Sequence, residues 1–79
     1  MYYLVEVIEE DSKTTHKVEL SRNEYEILTD GKVAPEQLVQ CSFEFLLERE
    51  PKESILTSFN ISVISRYFPQ YATEIISYF

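Results

Sequence analysis

The chain has 79 residues, enough for one hydrophobic core but not two, because independent domains commonly run to about 100 residues or more. Its formal net charge of -7, from 14 acidic and 7 basic residues, disfavours nucleic acid and anionic membrane, both of which need clustered Lys and Arg to displace counterions. A hydrophobic content of 44%, with six Tyr and five Phe, excludes a disordered chain, since that much apolar surface offsets the entropy of ordering it.

The first segment, Tyr2 to Ile8, is rich in β-branched and aromatic residues. So is Thr14 to Leu20, and the polar stretch Glu9 to Lys13 lies between them. The pattern predicts a β-hairpin over residues 2–20. In the second strand His16, Val18 and Leu20 alternate with Lys17 and Glu19, giving one apolar and one wet face. In the first, Tyr3, Val5 and Val7 share a face opposite Leu4, Glu6 and Ile8. A hairpin alone is marginal and must be backed by helices or a second chain.

Ser21-Arg22-Asn23-Glu24 matches a capping box and predicts a helix from Arg22 to Thr29, ended by Asp30 and by Gly31, the one residue free to take positive φ there. Pro35 at a first helical position and Glu36 beside it open a second helix, predicted to run to Glu50. Glu36, Gln40, Glu44 and Glu48 form a narrow polar ridge on it. Leu38, Val39, Cys41, Phe43, Phe45, Leu46 and Leu47 fill the remaining arc, as expected of a central, nearly surrounded element. Pro51 ends it. A charged connector leads to a helical turn expected at Ile55 and Leu56. Asn60 is the expected N-cap of a helix over 61–67, and Phe68-Pro69 a break before a last helix over 69–78. Together these elements predict a single α+β domain, an N-terminal β-hairpin packed on three to four helices.

Little in the chain suggests catalysis or a cofactor. The one His, His16, is expected to pack with Val18 and Leu20 at the edge of the core. One Gly cannot build a phosphate loop, and no Cys, His or Asp spacing fits a metal. Cys41, alone inside an apolar run, reads as a buried inert thiol. Catalytic, cofactor-binding and metal-binding residues are therefore all expected to be none.

The apolar N-terminus is interrupted by Glu6, lacks a basic flank and runs into Glu9, Glu10 and Asp11, so no signal peptide is expected. Apolar stretches fall far short of the ~20 residues of a membrane span. A cytoplasmic protein of bacterial type is expected. The scattered basic residues and the acidic surplus read as a solvating surface, with a basic partner as the functional alternative.

The most distinctive local feature is Tyr67-Phe68-Pro69-Gln70-Tyr71, followed by the apolar C-terminus with Tyr78 and Phe79. These five aromatics, Tyr67, Phe68, Tyr71, Tyr78 and Phe79, either close the core or anchor a partner, because aromatics dominate interface hot spots. The expected partner is another protein or a second copy of the chain, without nucleic acid or membrane.

The run SFEFLLEREPKESIL, from Ser42 to Leu56, with Ser58 to Ile64 and Tyr67 to Tyr71, resembles a set of small bacterial proteins with no assigned function. The likeness covers about the last half of the chain and implies a short cytoplasmic helical protein. A weaker resemblance is to the ribbon-helix-helix fold, in which the strands of two chains pair in the major groove. Val18 to Ser21 would be that strand, Arg22 to Thr29 and Pro35 to Glu50 the helices, and Lys17 and Glu19 would face DNA. An acidic residue in the reading strand and the net charge count against it. The expected function is a non-enzymatic protein-interaction module, with a dimeric ribbon-helix-helix regulator or antitoxin-like protein as the alternative.

Overall fold

Strands β1 (Tyr2–Glu9) and β2 (Ser12–Glu19) pair antiparallel in unbroken register from Tyr2 opposite Glu19 to Glu9 opposite Ser12. The computed structural model describes residues 1–79. The turn is Glu10-Asp11, with Glu10 at a φ of 51°. Strand β2 starts two residues before the expected Thr14, because Ser12 and Lys13 find partners on β1 despite their polarity. Tyr3, Val5 and Val7 stand opposite Val18, His16 and Thr14 on the inner face, where Val18 and His16 are buried. The outer face leaves Tyr2, Leu4 and Ile8 64%, 73% and 68% exposed.

A third strand, β3 (Ser58–Asn60), runs parallel to β2 with Phe59 opposite Val18. The residues around Asn60 were expected only to start a helix. Three residues carry no readable alternation, and β3 is held by its neighbours: Lys17 N–H donates to Thr57 O at 2.8 Å and Ile61 N–H to Glu19 O at 2.9 Å. The sheet order β1-β2-β3 leaves β2 in the middle, paired along its whole length with β1 and over Lys17, Val18 and Glu19 with β3.

Helix α1 (Arg22–Thr29) forms as expected, with both halves of the capping box in place: Glu24 N–H donates to Ser21 Oγ at 3.0 Å and Ser21 N–H to Glu24 Oε1 at 2.9 Å. Its left-handed end begins one residue early, at Asp30 (φ 52°), and continues through Gly31 (φ 73°). A short polar Asp tolerates that region better than most residues.

Helix α2 (Pro35–Leu47) starts on its proline but stops three residues short of Glu50. Pro51 disfavours helical backbone in the residue before it, and the final turn tightens so that the Arg49 and Glu50 amides both donate to Leu46 O at 2.9 Å. The ridge of Glu36, Gln40, Glu44 and Glu48 is exposed, while Leu38, Val39, Cys41, Phe43, Phe45 and Leu46 are buried. Phe43 meets His16 (5.3 Å between centroids) and Phe59 (6.1 Å) on the sheet side. On the other side Phe45 is ringed by Phe68, Tyr71 and Tyr78 at 5.9, 5.2 and 6.0 Å. The Arg49 guanidinium lies 3.6 Å from the Phe45 ring centre and pairs with Glu74 at 2.6 Å.

Beyond Pro51 a 3-10 turn spans Lys52–Ser54, and Ile55 is extended, so the helical turn falls earlier than Ile55-Leu56. Lys52, with a side chain only 6% exposed, pairs with Glu53 at 2.8 Å and Glu9 at 3.2 Å and ties this turn to the hairpin tip. Its hydrogen bond to Glu53 raises the Lys52 pKa and lowers that of Glu53. Helix α3 (Val63–Tyr67) is shorter than the expected 61–67. The expected last helix divides into α4 (Tyr71–Glu74) and a 3-10 turn, Ile75–Tyr78. The molecule is thus α+β, an N-terminal hairpin extended to three strands and packed on helices. No helix is long and apolar enough to cross a membrane.

His16 joins the third strand's approach to the hairpin. Its Nδ1 lies 2.7 Å from Leu56 O, and a carbonyl only accepts, so Nδ1 carries a proton. Nε2 lies 2.8 Å from Thr14 Oγ1. Replacing the ring by the similar-sized Phe orphans the Leu56 carbonyl and deletes both bonds. His16→Phe is expected to cost about 2 kcal/mol in urea unfolding, from the loss of two hydrogen bonds at about 1 kcal/mol each. A cost below about 0.5 kcal/mol, the range of neutral surface changes, would contradict this role.

Candidate functional site

The end of helix α2, strand β3 and helix α3 do not close completely on one another. Between them lies a groove of about 170 Å³. Leu46 and Ile55 line its depth, Phe59 comes from β3, Val63 and Ile64 from α3, and Leu56, Tyr67 and Phe68 from the surrounding loop and helix end. Small-molecule sites usually start at about 300 Å³, so this space suits one large side chain better than a cofactor.

Two polar residues, Glu50 and Ser54, break the apolar lining, and Glu50 is the only ionisable carboxylate among them. Glu50 is half-buried at the groove, and its carboxylate has neither a hydrogen bond nor an ion pair within the chain, while neighbouring Arg49 is engaged by Glu74 and by Phe45 O. Burial pushes the Glu50 carboxyl above the ordinary value, because desolvation disfavours its charged form. A cation brought against it would restore what burial removed.

The five aromatics named from sequence have different fates. Tyr67 is 68% exposed on the groove rim, and Phe68 lines the groove while standing edge-on to Phe45. Tyr71 is 1% exposed, a core residue. Tyr78 and Phe79 are half-buried and pack on the core; the Tyr78 hydroxyl donates to Glu48 Oε1, and Tyr78 O accepts from Cys41 Sγ at 3.3 Å. Sequence reasoning did not single out Glu50, Leu56 or Phe59. The one signal for Glu50 was its place before Pro51, at a helix end where a side chain can turn toward the following loop.

Other reactive groups are committed elsewhere. Both His16 nitrogens have partners, the Cys41 thiol is buried with its pKa raised by that burial, and no three His, Cys, Asp or Glu side chains are grouped to hold a metal ion.

Fold and groove together define a small α+β domain with a three-stranded mixed sheet and an apolar cleft bearing one unpartnered carboxylate. No protein-family model, curated protein or solved structure matches the chain.

Proposed function

We propose that this protein is a non-enzymatic interaction module of the bacterial cytosol, which binds a protein partner by seating an apolar side chain in the groove with an adjacent Lys or Arg against Glu50. The observation that carries this reading is the unpartnered carboxylate of half-buried Glu50 in a groove that is apolar apart from it and Ser54 and is sized for one side chain. Exposed Tyr67 at the rim supplies the amphipathic surface common at interface hot spots. A lone buried Cys41 suits a reducing compartment. The ribbon-helix-helix alternative requires Val18 to Ser21 to pair with a second copy, which β3 opposes by already pairing with Val18 and Glu19.

The test is a titration of the acetylated, amidated dipeptides Leu-Arg and Leu-Gln followed by amide shifts in NMR. Leu-Arg is expected to move the amides of Leu56, Val63 and Tyr67 and to bind about fivefold more tightly than Leu-Gln, the value of about 1 kcal/mol for a partly exposed ion pair. Glu50→Gln should abolish that preference. Equal binding of both dipeptides, or shifts elsewhere, would refute the reading.

A further inference from the structure

The hairpin leaves one long edge of the sheet uncovered. Glu9 and Ser12 flank a two-residue turn and therefore exchange hydrogen bonds. By the alternation of antiparallel ladders so do Val7 with Thr14, Val5 with His16 and Tyr3 with Val18. The pattern closes at the far end, where Leu20 N–H donates to Met1 O at 2.8 Å and the Met1 ammonium to Leu20 O at 2.9 Å. The N–H and C=O groups of Tyr2, Leu4, Glu6 and Ile8 consequently point away from β2 toward the free edge. Natural edge strands are shortened, bulged, interrupted by Pro or covered. Strand β1 runs eight residues in unbroken register, contains no Pro, and exposes Tyr2, Leu4 and Ile8.

Beside this edge a second groove separates β1 from α2, with Val39, Phe43 and Leu47 on its apolar side. The exposed ridge residues Glu36 and Glu44 flank it, neither in an ion pair, and no Lys or Arg lines it. Glu6 is the third carboxylate, already paired with Lys13 at 3.2 Å. The charge argues against a second copy as occupant: pairing β1 with its own copy would set each acidic α2 ridge against the other on chains of net charge -7.

We propose that the free edge of β1 docks an extended basic segment of a partner protein, which joins the sheet as a fourth strand. Its alternate residues are apolar on the face continuing Tyr2, Leu4 and Ile8, and Lys or Arg on the face toward Glu36 and Glu44. Main-chain bonds supply affinity and the alternating side chains supply specificity in this mode of recognition. The site is separate from the Glu50 groove, which lies on the β3 side of the sheet.

The test is fluorescence anisotropy with a labelled decapeptide of alternating Lys and Val, compared with the same composition in two blocks and with alternating Glu and Val. The alternating Lys peptide is expected to bind at least about tenfold more tightly than either control, and Glu36→Lys with Glu44→Lys to weaken it about tenfold, as for partly desolvated charge pairs across an interface. Leu4→Pro, which removes a free-edge donor and no ladder bond, should abolish binding. Should that variant fail to fold by circular dichroism, the exposed Glu exchanges decide. Glu50→Gln should leave this binding unchanged, which separates the proposal from the groove reading. Equal binding of the blocked peptide, or no effect of the Glu exchanges, would overturn it. So would a tight dimer in sedimentation equilibrium that Leu4→Pro dissociates, because the edge would then belong to a second copy.

Discussion

Phe45→Ala will cost about 4 kcal/mol of folding stability, the usual range for emptying an aromatic site in a core. Phe45 is fully buried, three aromatic rings meet it edge-on, and the Arg49 guanidinium lies against its face. Truncation therefore removes the contact that gathers α3, α4 and the C-terminal 3-10 turn onto α2. Small domains hold roughly 0.05 to 0.15 kcal/mol per residue, so at least about a third of the stability of this one is at stake. Urea unfolding should show a sharply lowered midpoint, with little change in slope if the native state keeps its compactness. Tyr67→Ala, on the exposed rim, should fall within about 0.5 kcal/mol of the parent. If Phe45→Ala also cost less than about 1 kcal/mol, the C-terminal segment would not be docked as described.

Stability should also fall steeply in alkali, and Tyr71 should be the main cause. Ser42 Oγ donates to Leu38 O at 2.7 Å, which spends its only proton, so the Tyr71 hydroxyl must be the donor in its 2.6 Å bond to Ser42 Oγ. Burial pushes the Tyr71 pKa from 10.0 to about 12, because desolvation disfavours the phenolate. The folded state then holds a proton that the unfolded state releases. The associated stability is complete below pH 10 and is lost as the pH rises toward about 12, amounting to about 2 to 3 kcal/mol at about 1.4 kcal/mol per pH unit. Tyr71→Phe should cost about 1 kcal/mol at neutral pH for the lost hydrogen bond, because Ser42 keeps its bond to Leu38. It should also flatten the alkaline limb by that 2 to 3 kcal/mol. Urea midpoints of both proteins from pH 8 to 11.5 measure this, and parallel curves would show that Tyr71 is not the group responsible.

These two residues also explain why the aromatic C-terminal segment was ambiguous from sequence. Tyr71, Tyr78 and Phe79 fit either a core or an interface by composition, and only their docking on Phe45 and Cys41 resolves them. Tyr67 faces solvent because α3 is a single short turn whose buried side is already supplied by Ile64.

Local chemistry was enough for the hairpin, for α1 with its capping box, and for α2 with its N1 proline and exposed acidic ridge. In each, the deciding interactions lie within a few residues or within one repeating period, so they are written into neighbouring positions. Three features depended on tertiary structure. Strand β3 is too short to carry a pattern and exists through its bonds to β2 and the flanking loops. The Glu50 groove arises where α2, β3 and α3 fail to close, and no single segment records that gap. The free edge of β1 became visible only when β3 took the other side of β2. Periodicity determines which face of an element is apolar; what covers that face depends on contacts between residues tens of positions apart, whose pairing is settled by packing of the whole chain.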